Sequence, residues 1–302
     1  MRWATLDGAA PRIIAHRGAS GVLPEHTLEA YAKALEQGAD VVEPDLVVSG
    51  DGQLIARHDR NLARSTDVAA RPQFASLRRD GDWWIEDLEL ADIAQLRAVQ
   101  PFPSRDHQHD GKFRIPTFAA VLLWAESVAR ARGEPVTLYP ELKLPAFFEA
   151  HGKDPCGRFL SLVRQRNPLR VRLWLQCFEL EPLLRLRDTA EVPVFLLLDR
   201  GAPWRRLIAA HAGQVDGFGV HKSLLQDVDG SSSGLVDMAH ERGLQVHAFT
   251  YRDDDPAPGF ISLAEELDVA FAMGVDGLFC DFPDIAVALR ERFALHGGCH
   301  RG

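Results

Sequence analysis

Arg12–Asp59 reads RIIAHRGASGVLPEHTLEAYAKALEQGADVVEPDLVVSGDGQLIARHD, and one strand–helix–strand unit can be read from it. The apolar run Ile13-Ile14-Ala15 predicts a strand that delivers His16 and Arg17 at its end. Leu28, Tyr31, Ala32 and Leu35 then recur at helical spacing. Glu25 and Thr27 stand where a helix near Glu25–Gln37 should begin, and Gly38 where it should stop. Val41–Val48 predicts the second strand, and Ser49-Gly50-Asp51-Gly52 turns it into a hairpin with Leu54–Ala56. His58 closes that third run. Glu43 and Asp45 are two residues apart in the second strand, so they project to one face. Two carboxylates that close repel, and on an apolar strand they call for a cation or a basic partner.

The same rhythm continues outward from this unit. Strand-like runs begin near residues 13, 41, 136, 172, 192, 217, 245 and 277, and helix-like segments lie between them. Eight strands in strict alternation with helices predict an α/β fold, a (β/α)8 TIM barrel, with residues 1–302 as a single domain. A doubly wound open sheet is the second choice, weakened because no GxGxxG follows any strand. Residues 60–115 break the rhythm. They show no clean period, hold Trp83-Trp84 and predict only a weak helix over Leu90–Val99. They read as a small inserted subdomain after the second strand unit, set over the barrel mouth where substrates enter. Trp83 and Trp84 then either pack the insertion onto the barrel or form an aromatic wall for a lipid head group.

Composition narrows the function. The formal net charge of −9 over 302 residues argues against a nucleic-acid partner. Residues 1–11 contain no apolar signal-peptide core, and no uncharged apolar stretch is long enough to span a bilayer. A cytoplasmic protein without stable membrane insertion is expected; oligomeric state leaves no mark on the sequence. Cys156, Cys177, Cys280 and Cys299 are scattered without a CxxC, which predicts buried free thiols.

Barrel enzymes gather their chemistry at the C-terminal ends of several strands. His16 and Arg17 end the first strand, Glu43 and Asp45 belong to the second, and Glu141 and Lys143 sit two apart on the third. Three carboxylates together favour a hard divalent cation, Mg²⁺ or Ca²⁺. Arg17 and Lys143 supply donors suited to phosphate. His16 and His58 are suited to moving a proton near neutrality. Phe249, near the end of strand seven, is placed to pack under a substrate. His221 and His247 are candidates for the mouth. His107 and His109 read as solvated, His296 and His300 as tail residues, and Asp281 as either a helix cap or a site residue.

The residues as a set resemble a known family. His16-Arg17-Gly18, Pro24-Glu25-His26-Thr27, Gly38-Ala39-Asp40, Glu43-x-Asp45, Asp51-Gly52, His58-Asp59, Glu141-x-Lys143 and Gly274-Val275-Asp276-Gly277 are similar in order and spacing to the glycerophosphodiester phosphodiesterases. The likeness runs from about Ile13 to Leu289, and the insertion ending in Phe113-Arg114-Ile115-Pro116-Thr117 looks like that of the longer bacterial form. It implies metal-dependent hydrolysis of small glycerophosphodiesters to sn-glycerol 3-phosphate and an alcohol. By motif position His16 and His58 would be the acid/base pair, Glu43, Asp45 and Glu141 the metal ligands, and Arg17 and Lys143 the phosphate ligands. The substrate's own 2-hydroxyl would attack phosphorus through a cyclic phosphate. His26, Phe249 and Cys280 depart from the usual Asn, Trp and Thr, which bears on head-group preference. Two other readings stand beside this one: a sphingomyelinase D-like phospholipase acting on membrane lipids, and a phosphate-binding barrel without catalysis.

Overall fold

A computed structural model describes residues 2–296, so Cys299 and His300 lie outside the described residues. Twelve strands form one sheet. In chain order they are β1 (Arg12–His16), β2 (Val41–Glu43), β3 (Asp45–Val48), β4 (Leu54–Ala56), β5 (Val136–Leu138), β6 (Glu141–Leu142), β7 (Val171–Leu173), β8 (Leu175–Cys177), β9 (Val194–Leu198), β10 (Gly217–His221), β11 (Gln245–Tyr251) and β12 (Gly277–Cys280). Twelve strands fill eight barrel positions because β4 is a hairpin arm and three positions are each broken once. Pro44 alone separates β2 from β3, Tyr139-Pro140 separates β5 from β6, and Trp174 separates β7 from β8. Proline has no N–H for the ladder, so a break at Pro44 and Pro140 follows from the residue itself. Hydrogen bonds from Glu141 N to Pro44 O and from Gln176 N to Pro140 O, 2.9 and 3.0 Å, carry the pairing across.

The ring closes. β1 pairs in parallel with both β12 and β2, and the lower halves run on as β2–β5–β7. The upper halves pair as β3–β6–β8, and β8 continues through β9, β10 and β11 to β12. The expected barrel is what the chain builds, and β4 pairs antiparallel with β3 across the Asp51-Gly52 turn as the dipeptide predicted.

Helices α1 (Leu28–Glu36), α2 (Leu90–Ile93), α3 (Phe118–Arg132), α4 (Pro145–Ala150), α5 (Pro155–Gln165), α6 (Leu180–Ala190), α7 (Trp204–His211), α8 (Leu235–His240), α9 (Leu263–Met273) and α10 (Pro283–Leu295) complete the chain. All but α2 lie on the crossovers or after the last strand. α1 starts three residues later than Glu25, because Thr27 is its cap: Thr27 Oγ1 accepts from Ala30 N at 3.1 Å. None of the helices among the described residues is long and apolar enough to cross a membrane.

The helix expected over Leu90–Val99 shortens to α2. Beyond Ile93 the backbone has another partner: Ala98 bridges to Thr66, and Val99 N donates to Ser65 O at 3.1 Å. Local periodicity lost to a long-range pairing. The rest of the insertion is built of short 3₁₀ turns. Trp83 is buried, with its indole N–H on Phe74 O at 2.6 Å. Arg60 stacks over Phe147 of α4 at 3.6 Å and over Trp84 at 5.0 Å, and also pairs with Glu86. The tryptophans thus pack the insertion rather than face a ligand.

Inside the barrel an aromatic layer of Tyr139, Trp174, Phe195 and Phe279 fills the space beneath the mouth. His247 belongs to this layer. It is fully buried, 4.5 Å from the Phe195 ring, with Nδ1 3.1 Å from Tyr139 Oη. It therefore does not line the mouth, whereas His221 does. Cys156, Cys177 and Cys280 are free and buried, as their scatter suggested.

Candidate active site

A cavity of about 950 Å³ opens at the C-terminal end of the barrel. His16, Arg17, Glu43, Asp45, His58, Glu141, Lys143 and Phe249, the eight residues singled out from the sequence, all line it. Strand register brings them together: His16 lies opposite Glu43, and Asp45 opposite Glu141. Glu43 and Asp45 share a face even though Pro44 interrupts their strand. Phe249 packs edge-on to Phe178, with ring centres 6.2 Å apart, and both form part of the cavity wall.

After β1 the chain turns sharply. Arg17 takes φ +60° and Gly18 φ +86°, and His26 returns with φ +57°. Left-handed backbone is costly for side-chain-bearing residues, so other bonds hold it here. Arg17 N donates to Glu43 Oε2 at 2.9 Å, and His26 N donates to Arg17 O at 3.1 Å. At Gly18 a methyl group would meet the Ala30 carbonyl carbon of α1 at 2.7 Å. A Gly18→Ala variant should lose on the order of 2 kcal/mol from the left-handed conformation and the clash with α1. Urea unfolding checks this, and an unchanged midpoint would show that α1 moves aside freely.

One oxygen each from buried Glu43, Asp45 and Glu141 lies within 4.8 Å of the others. Basic groups only partly offset them. Arg17 sits 3.0 Å from Glu25 Oε2 and 3.3 Å from Asp45 Oδ2. Lys143 Nζ is 2.8 Å from Glu141 Oε1 and 4.0 Å from Asp45 Oδ1. Burial first, then Asp45 and Glu141, hold the Glu43 carboxyl well above its ordinary range. Burial likewise pushes Glu141 up to about 8, against the pull of Lys143. Asp45 goes the other way: despite burial, Lys143, His58, His26 and Arg17 hold it low. Glu141 Oε1 has no aligned hydrogen-bond donor despite the nearby Lys143, and neither has the buried Gln176 Oε1. Three oxygens, clustered, in part unsatisfied and too crowded to ionise together, fit a hard divalent cation.

The histidine environments are paired in design. His16 Nδ1 lies 2.6 Å from Asp281 Oδ1, and His58 Nδ1 2.5 Å from Asp59 Oδ1. At the other edge of His16, Arg17 Nε approaches Nε2 at 3.2 Å. A guanidinium only donates, so Nε2 carries the lone pair and Nδ1–H donates to Asp281. Burial and then Arg17 lower the His16 pKa to about 4, and burial and Arg17 also lower that of His58. In the site without substrate both imidazoles are therefore held toward the neutral form at pH 7, each with a lone pair available for a proton.

Several site groups escaped the sequence reading. Asp281 was left between cap and site. The structure places Phe282, not Asp281, at the α10 cap position, and spends both Asp281 oxygens on His16, Arg105 and Arg252. Its place directly after the last strand was the available signal. Glu25 holds Arg17, and His26 donates from Nε2 to Asp45 Oδ2 at 3.0 Å while its Nδ1 meets Tyr31 Oη. His107 is exposed, does not line the cavity and pairs with Asp110 at 2.8 Å.

Residues 16–285 match the glycerophosphoryl diester phosphodiesterase family. A glycerophosphodiester phosphodiesterase of Arabidopsis thaliana is 31% identical, covering 92% of this chain and 85% of its own length. A Mycobacterium tuberculosis protein named as a probable glycerophosphodiester phosphodiesterase 1 is 49% identical, over 84% of this chain and 88% of that one. The solved structure of an Oleispira antarctica phosphodiesterase, in complex with sn-glycerol-3-phosphate, superposes with a TM-score of 0.71. It covers 95% of this chain and 99% of that one at 23% identity, so it speaks for the fold.

Proposed function

Because this chain belongs to the glycerophosphoryl diester phosphodiesterase family, and is an enzyme of that kind, we propose that it hydrolyses small soluble glycerophosphodiesters to sn-glycerol 3-phosphate and an alcohol, with a divalent cation and with His16 and His58 as its acid and base. The observation that carries this reading is one cavity ringed by three clustered carboxylates and by two imidazoles, each backed by an acid.

Glu43, Asp45 and Glu141 would hold the cation, Mg²⁺ or Ca²⁺, whose chemistry when bound is to neutralise charge on the phosphoryl oxygens. Arg17 and Lys143 flank the same carboxylates and so face a phosphate from two sides. In the first step the substrate's 2-hydroxyl attacks phosphorus, an intramolecular reaction favoured by proximity. One imidazole, neutral, takes that hydroxyl proton at Nε2. The other enters the step protonated at Nε2, a state favoured by the negative charge of the bound diester, and gives that proton to the departing alcohol oxygen, and a cyclic phosphate forms. In the second step water opens the cyclic ester and the two imidazoles exchange tasks, which restores both protonation states. Asp281 and Asp59 keep each Nδ1–H engaged, so Nε2 is the working atom on both rings.

The aromatic wall of Phe178 and Phe249 lies beside this centre and would pack against the substrate. A substrate panel tests the reading: soluble glycerophosphocholine, glycerophosphoethanolamine and glycerophosphoglycerol against micellar lysolipid and sphingomyelin, each with added Mg²⁺ or Ca²⁺. Release of sn-glycerol 3-phosphate from the soluble diesters is expected. Turnover of the lipids alone would favour a phospholipase, and turnover of none would favour a binding protein.

A further inference from the structure

Arg105 comes from the insertion, 85 residues along the chain from Ser20, yet its side chain is only 2% exposed and it ends among the segments that follow β1, β11 and β12. All three nitrogens of its guanidinium are engaged. Nε and Nη2 grip the two oxygens of Asp254 at 2.7 and 3.0 Å, and Nη1 donates to Ser20 O at 3.2 Å. Nη2 also reaches Asp281 Oδ2 at 2.7 Å. Arg252 Nε meets the same Oδ2 at 2.9 Å. With Oδ2 held by two guanidinium groups, Oδ1 is left to accept the Nδ1–H of His16.

The two arginines differ in one respect. Arg252 lines the cavity and is open to a substrate, whereas Arg105 lines neither that cavity nor the smaller one beside it. The side chain that links Arg105 to a reacting group is Asp281, whose other oxygen meets His16. A buried carboxylate needs paired charge and a full set of donors to stay ionised and in place. Loss of one clamp frees Oδ2 to turn, and with it the acceptor that fixes the His16 ring and tautomer. Arg252 would then be left as the remaining guanidinium on Asp281, with a neutral His16 bringing no charge of its own.

We propose that Arg105 is a positioning residue for the reaction: the insertion sends this side chain to the barrel mouth and, by bridging Asp254 to Asp281, locks the orientation of His16. This rests on the reading of His16 as an acid or base. On this view the insertion is a brace for the reacting histidine. Arg79, half exposed and paired with Asp87 on the insertion surface, is the natural control.

The test uses the full-length, cation-loaded enzyme on glycerophosphocholine. Arg105→Ala is expected to lower kcat ~10- to 100-fold, the range for groups that orient a site residue, with KM changed less than about threefold, the signature of a defect in the reacting geometry. Arg105→Lys keeps the charge without the fork and should recover part of the loss. Asp254→Ala removes the far anchor and should lower kcat in the same direction, which keeps the test alive if Arg105→Ala folds poorly. Arg79→Ala should match the wild type. In proton NMR the low-field Nδ1–H signal of His16, assigned by its loss in His16→Ala, should broaden or disappear in Arg105→Ala. A kcat within twofold of wild type in both Arg105→Ala and Asp254→Ala, a loss carried by KM, or an unchanged His16 signal would overturn the proposal. Full activity in His16→Ala would instead overturn the reading of the site on which it rests.

Discussion

His58→Ala and His16→Ala should each lower kcat by ~10²–10⁴-fold, the usual worth of a positioned acid or base, while inorganic phosphate binds as before. The reason lies in the division of labour around the cavity. Phosphate would be met by Arg17 and Lys143, neither of which depends on an imidazole for its ion pairs to Glu25, Asp45 and Glu141. In the site without substrate, burial and Arg17 hold the imidazoles toward the neutral form, so they add no fixed positive charge to the anion site. Removing either ring therefore takes away proton transfer and leaves the anion site. The double variant should be little worse than either single one, because groups that act in one step do not add. Steady-state kinetics with calorimetric phosphate titration separates the two effects. Full activity in both single variants would remove the acid/base assignment, and lost phosphate binding would relocate the histidines to the anion site.

The second large effect concerns the carboxylates. Stripping the protein with a chelator should silence hydrolysis, and Glu141→Gln should weaken binding of added Mg²⁺ or Ca²⁺. Two readouts do not depend on turnover. First, cation binding should release protons. Glu141 is pushed up to about 8, so at neutral pH the folded apo site retains a proton that a cation must displace, and Glu43 is shifted in the same direction. Affinity should accordingly rise with pH up to about 8. Calorimetry in buffers of different ionisation enthalpy counts those protons. Second, a ligand that binds only the folded state stabilises it, by about 2.7 kcal/mol at a hundred times Kd. Melting temperature should rise with added cation in the wild type and rise less in Glu141→Gln. No proton release and no thermal shift with either ion would dismiss the cation site.

Much of this was readable along the chain, and the residues show why. A strand end is a local event: an apolar run, a turn residue and the polar group between them are neighbours in sequence. So His16, the Glu43/Asp45 pair and the Glu141/Lys143 pair could be placed before any contact was known. What resisted reading was set by partners far away. Leu90–Val99 has helical spacing, yet its second half pairs with Ser65 and Thr66. His247 ends up in an aromatic layer because Tyr139, Trp174 and Phe195 arrive there from three other barrel positions. Arg105 carries no signal at all: it is one arginine in a polar stretch, and only its fold partners, Ser20, Asp254 and Asp281, distinguish it. The reacting groups are written locally, and the residues that orient them are not.

The seam between β1 and β12 has a consequence for biosynthesis. The carboxylates that would hold the cation, and His58 with Asp59, have all been translated once Glu141 has been added. His16, made near the start, has no Asp281 to turn toward until the last strand emerges from the ribosome and closes against the first. A nascent chain, or one that stalls before the final crossover, would carry an acidic cluster without the aspartate that orients its first histidine. Phosphodiester cleavage would then switch on only once Asp281 has been added and β12 has closed against β1.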